Sequence, residues 1–270
     1  LGCVALFLFL ATPHVNPANW DPFLPFGFTG VASGAAIVFF AYIGFDAVST
    51  AAEECKNPNR DVPVGIICSL IVCTVLYIAV AAVLTGVVPY ASLNNSEPVA
   101  FALRALGINF GSALVAVGAI CGITTVLLVM MYGQTRVALA MSRDGMIPQS
   151  MVKIHPKFGT PDKITIVTGI VVCILSGLLP INIIAELCNM GTLFAFCVVS
   201  IGVMVLRKTE PDAHRPFRCP AVGIVAPLAV LFCGFLISQL PANTFIFFGC
   251  WYSIGMVVFF AYSRNNTTLV

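Results

Sequence analysis

Phe39-Phe40-Ala41-Tyr42-Ile43-Gly44-Phe45-Asp46-Ala47-Val48-Ser49-Thr50 sets one carboxylate and one glycine inside a stretch otherwise suited to an apolar solvent. It closes an uncharged run that opens at Pro22. Further uncharged runs follow at 62–88, 105–135, 164–185, 187–206 and 219–263. A helix needs about 20 mostly apolar residues to cross the ~30 Å hydrocarbon layer, and these runs reach that length. The last is long enough for two crossings and is interrupted by the turn-like Ser238-Gln239-Leu240-Pro241-Ala242-Asn243. None of the runs shows the period-two polarity of barrel strands. The sequence therefore predicts an all-α polytopic membrane protein, with seven full helices near 31–52, 64–87, 111–135, 164–182, 186–206, 222–240 and 244–262.

Composition agrees with that reading. Of 270 residues, 59% are apolar and 9% charged, and the mean hydropathy is +1.01. Soluble domains carry roughly 25% charged residues, and one packed core cannot hide so much apolar side chain. A soluble enzyme, a nucleic-acid binder and a disordered chain are thereby excluded, and the principal partner is the lipid bilayer. The net charge of +2 suggests no polyanionic partner. With alternating loops, Lys56, Arg60, Arg136, Arg143, Lys153, Lys157, Lys163, Arg207, Lys208, Arg215, Arg218 and Arg264 fall on one side, and of the 13 basic residues only Arg104 falls on the other. Basic residues accumulate on cytoplasmic loops. The loops 12–30, 88–110, 183–185 and 238–243 are accordingly expected outside.

Residues 1–11 are apolar but too short to span, and neither a Met nor a flanking charge begins them. They are expected to be the end of a further membrane helix, with the chain one portion of a longer protein. The 11 cysteines lie mostly in or beside apolar runs and show no metal-ligand spacing, so they read as small buried apolar residues. His14, His155 and His214 all fall on loops, and no nucleophile triad, dinucleotide or phosphate-loop motif is present. Neither enzyme chemistry nor a cofactor is expected.

Function in lipid shows where the apolar pattern is violated. Asp46 beside Gly44 has two readings: a discontinuous helix that frees backbone groups to hold an ion or zwitterion, or close helix packing at Gly44 with Asp46 reaching cytoplasmic water. Glu53 and Glu54 lie two turns further on. Thr124 and Thr125 can line a cavity or simply bond the carbonyls one turn back. Glu186, Asn189 and Thr192 share a helix face, with Glu186 expected to open its helix at the positive end of the dipole. Met130-Met131-Tyr132-Gly133-Gln134 places flexible and aromatic groups near one helix end.

The cytoplasmic loops carry the most specific signal. Glu53-Glu54-Cys55-Lys56-Asn57-Pro58-Asn59-Arg60-Asp61-Val62-Pro63-Val64-Gly65-Ile66 resembles the E-E-x-x-N-P-x-R-D-x-P-x-G-I signature of amino acid–polyamine–organocation superfamily transporters. Arg136 with Met141 to Pro148, then Phe158-Gly159-Thr160-Pro161, then Arg215-Pro216-Phe217-Arg218-Cys219-Pro220 agree with it in order and side. The branch it resembles is that of cationic amino acid transporters and their bacterial relatives. The resemblance implies a twelve-helix fold of two inverted five-helix repeats, of which this chain runs from the end of helix five through helix twelve. Residues 1–30 would then be a helix end and external loop, 31–206 the second repeat, and 207–270 a cytoplasmic loop with two terminal helices.

It further implies a secondary transporter in the plasma (inner) membrane, moving an amino acid by alternating access with proton coupling or exchange. Its partners would be that substrate and the N-terminal helices absent from this sequence. Phe40 would be the aromatic gate, with carbonyls around Phe40, Tyr42 and Ile43 receiving the substrate ammonium. Gly44 would mark the unwinding and Asp46 a proton-linked group beyond it. Met130 would face the substrate side chain, where cationic members tend to have a smaller residue. Thr124 and Thr125 would fall near an ion or its replacement. A membrane scaffold that keeps the fold and binds a partner without transporting is the alternative.

Overall fold

The computed structural model describes residues 1–50, 52, 55–148, 150, 154–157, 160–213, 215 and 217–267. Glu53, Glu54, Phe158, Gly159 and Pro216 of the sequence signatures, the basic Lys153 and the loop histidine His214 lie outside the described residues. Among the described residues every regular element is helical. In chain order α1 covers Gly2–Ala11, α2 Gly27–Tyr42, α3 Ala47–Thr50, α4 Pro58–Val87, α5 Pro98–Ala105 and α6 Asn109–Arg143. Then α7 covers Asp162–Leu178, α8 Ile181–Thr209, α9 Val222–Ser238 and α10 Ala242–Val258. A π-helical turn at Phe259–Ser263 and a short α11 at Arg264–Asn266 extend α10.

Five stretches, Gly27–Thr50, α4, α6, α8 and Ala242–Asn266, are long and apolar enough to cross a membrane. The chain is a multi-pass integral membrane protein. Two of the expected spans are shorter than the sequence suggests: α7 and α9 have 17 residues each, about 26 Å at the helical rise. Helix α7 stops at Leu178 because Pro180 has no amide with which to continue, and Pro180 instead caps α8. The turn therefore lies at Leu179-Pro180 rather than 183–185. Glu186 consequently sits inside α8 rather than at its opening. The loop expected at 88–110 contains α5.

The chain forms two compact units, Leu1–Gly30 with Gly65–Val129, and Val31–Val64 with Met130–Val270. In the first unit Phe7 and Ala11 of α1 are buried with Val88, Ala102, Leu103 and Val115. Helix α1 approaches α6 closely because Gly111 and Gly118 bear no side chain. A Cβ at Gly111 would stand 2.9 Å from Leu10 Cδ1, and one at Gly118 would overlap the Cys3 sulfur. Small residues at such crossings are how membrane helices gain van der Waals contact. The 15–20 segment seals the end of α4: the Asn16 amide and Asn19 Nδ2 donate to the Gly86 carbonyl at 2.9 and 2.7 Å, and Trp20 Nε1 donates to Ala82 O at 3.3 Å. The Gly86 carbonyl is one of the last four of α4, which a helix end leaves unsatisfied. Arg104, the one basic residue expected outside, pairs with Glu97 at 3.1 Å across α5.

In the second unit α8 packs against α9 and α10. Ala36, Met190 and Leu240 form a buried cluster with Leu236, Ile237 and Phe248 around it. Arg215 caps the end of α8, donating from Nη2 to Leu206 O at 3.1 Å and Glu210 O at 2.7 Å, and from Nη1 to Ala213 O at 3.0 Å. At the end of α6 the Gly145 and Met146 amides donate to Ser142 O and Met141 O at 3.1 and 2.8 Å, with Gly145 at φ +78°. This is a Schellman cap, whose left-handed residue is normally glycine. All eleven cysteines lie among the described residues, and none is in a disulfide.

Candidate functional site

The predicted helix 31–52 is interrupted. Helix α2 ends at Tyr42 and α3 begins at Ala47, leaving Ile43–Asp46 outside regular helix. Gly44 lies at φ +126°, a conformation L side chains rarely adopt. Short local bonds replace the helical ladder. The Ile43 amide donates to Phe40 O at 3.3 Å, and the Ala47 amide to Gly44 O at 3.1 Å. The Ser49 amide and hydroxyl donate to Asp46 O at 2.9 and 2.6 Å. The Asp46 carboxylate turns back into the break, where Oδ1 accepts the Gly44 amide at 3.1 Å. Among the described residues nothing donates to the Ile43 carbonyl.

Met130 of α6 meets this break. A Cβ at Gly44 would lie 3.1 Å from Met130 Cε, tighter than ordinary contact. Phe40, Tyr42, Ile43, Gly44, Asp46 and Met130 thus belong to one unit, with the thioether of Met130 against the unwound glycine. Phe40 is 42% exposed and Met130 36% exposed; Tyr42, Ile43, Gly44 and Asp46 are half-buried. Below the break a cavity of about 400 Å³ is lined by Ser49, Thr50, Arg136 and Arg143. Thr124 and Thr125 fall in the other unit. Their hydroxyls donate one turn back, to Ile120 O at 2.9 Å and Cys121 O at 2.8 Å, in an exposed stretch of α6.

Helix α8 braces the break from both sides. Phe196 packs edge-on against Phe39 with centroids 6.3 Å apart and, tilted, against Phe45 at 5.6 Å. Phe196 did not stand out in the sequence, where one more aromatic in an apolar helix carries no signal. Seven residues before it on the same helix face is Asn189, which the sequence does mark as an intramembrane polar group.

The model of the amino acid permease family matches residues 2–265. The chain belongs to that family. It is 51% identical over 98% of its length to the branched-chain amino acid permease BcaP of Bacillus subtilis, covering 57% of that protein. It is 48% identical over its whole length to the methylthioribose transporter of the same organism, covering 58% of it. Against the chloroplastic cationic amino acid transporter 9 of Arabidopsis thaliana it is 46% identical over 82% of its length, covering 40% of that protein. The chain thus spans little more than half the length of these relatives at most.

Proposed function

We propose that this permease chain contributes the discontinuous helix of a secondary amino acid transporter of the plasma membrane, and that the substrate binds at Phe40–Asp46. The observation that carries this is the break itself: one apolar membrane helix gives up its ladder at Ile43–Asp46, at a glycine with φ +126°. A half-helix end offers unsatisfied backbone dipoles near mid-membrane, which hold a zwitterion without fixed charges. The C-terminal end of α2 presents carbonyls to an ammonium, and among the described residues Ile43 O has no donor. Phe40 closes over the substrate from one side, and rocking of helix bundles opens the other toward the cavity at Ser49 and Arg136.

Met130 presents an apolar, adaptable wall, which favours a neutral amino acid side chain over a bulky cationic one. The relative named for branched-chain amino acids supports that reading, whereas those named for methylthioribose and cationic amino acids set the alternatives. The test is competition for uptake of labelled leucine by the full-length protein in proteoliposomes, with valine, lysine and methylthioribose as competitors. Valine is expected to compete and lysine to fail. Competition by lysine alone would overturn the neutral-substrate reading. Absence of uptake, with a constant partner in pull-downs, would favour the scaffold.

A further inference from the structure

Asn189 is 1% exposed in the first third of α8, and its Nδ2 donates to two successive carbonyls of α2, Ala36 O at 2.9 Å and Ile37 O at 3.4 Å. Both carbonyls already belong to the α2 ladder, since their in-helix partners are the amides four residues on. The amide of Asn189 is therefore a second donor, gripping the backbone of the turn that leads into Phe40. The contact is close because Ala36, fully buried, has no bulk to keep the helices apart. The other end of the carboxamide fits poorly: Oδ1 is buried with no hydrogen-bond partner among the described residues. Rotating the amide to exchange its ends would only turn Oδ1 toward two carbonyls, so the α2 backbone fixes the orientation. An orphaned buried acceptor is unfavourable, so this residue is poor material for holding a fold together. One turn earlier on α8, Glu186 accepts the Thr244 hydroxyl at 2.8 Å, joining α10 to the same face.

We infer that Asn189 is a positioning residue for the discontinuous helix. Its amide ties the last turns of α2 to α8, and Phe196 continues that contact across Ile43–Asp46. Together they set where the unwound segment stands. The inference rests on the proposed transport function only for its activity arm.

The experiment compares Asn189→Leu, of similar shape but with no donor, and Asn189→Ser, which keeps a donor, in the full-length protein. Hydrogen exchange of peptides spanning 36–50 and the global melting temperature are read beside uptake. Losing a hydrogen bond of ordinary strength predicts about tenfold faster exchange in this segment for the Leu variant. Melting should be little changed, maximal uptake should fall, and the Ser variant should show partial recovery. Unchanged local exchange would overturn the inference, as would loss of melting temperature in proportion to exchange, which marks a merely structural residue. If the wild type takes up no amino acid, the transport reading fails, while exchange and melting still decide the role of Asn189.

Discussion

Asp46 illustrates how little of a side chain's role follows from its charge. Its carboxylate accepts the Gly44 amide two residues earlier, so it stabilises the unwound backbone before any question of protons arises. An asparagine keeps an acceptor at that position and an alanine removes it. Asp46→Asn in the full-length protein is expected to retain uptake within about threefold, whereas Asp46→Ala should lose about tenfold, the scale of one hydrogen bond to a charged group. Equal losses in both variants would show that the negative charge, not the acceptor, is what the break needs. The same Asn variant tests coupling: a pH profile of uptake that differs from wild type assigns Asp46 a part in it, and an unchanged profile removes it. Thr124 and Thr125 spend their hydroxyl protons on their own helix, which leaves only oxygen lone pairs to offer an ion.

At the scale of elements, close approach is decided by what glycines omit. Gly118 admits the Cys3 sulfur where a Cβ would stand, which lets α1 lie against α6. Overpacking such a contact costs typically 1–3 kcal/mol, so Gly118→Val should lower the melting temperature of the detergent-solubilised protein, and adding Cys3→Ala should restore part of it. An unshifted melt would show that α1 does not depend on this crossing. The positions of most helices were legible in the sequence because uncharged runs and basic loops mark them directly. Their ends were less so. The turn at Leu179-Pro180 and the helix α5 depend on local capping, which hydropathy does not register. The loop signatures become intelligible only as geometry: Arg215 caps α8, Asn57 and Pro58 start α4, and Gly145 ends α6. The break at 43–46 was legible as a violation of pattern at Gly44 and Asp46. The bracing by Phe196 and Asn189 was not, because it pairs residues about 150 positions apart in sequence through a contact that no local rule specifies.

For the whole molecule, sidedness follows from the charge distribution of the loops. The distribution of basic residues predicts that Cys55 and Cys219 lie on the cytoplasmic side. Single-cysteine versions carrying either residue should react with a membrane-impermeant thiol reagent in inside-out vesicles and not in right-side-out ones; the reverse pattern would invert the topology.

The unwound segment at Gly44 is the proposed place of substrate binding. Gly44→Ala introduces a side chain into a backbone at φ +126° and against Met130 Cε, a strain of about 1–3 kcal/mol that the site must absorb by closing or shifting. The most direct measurement is saturable uptake of labelled leucine by the full-length protein in proteoliposomes, wild type against Gly44→Ala at matched reconstitution. Wild-type uptake is expected to fall at least about fivefold in the variant, in line with that strain. Undiminished uptake by Gly44→Ala would contradict substrate binding at this segment.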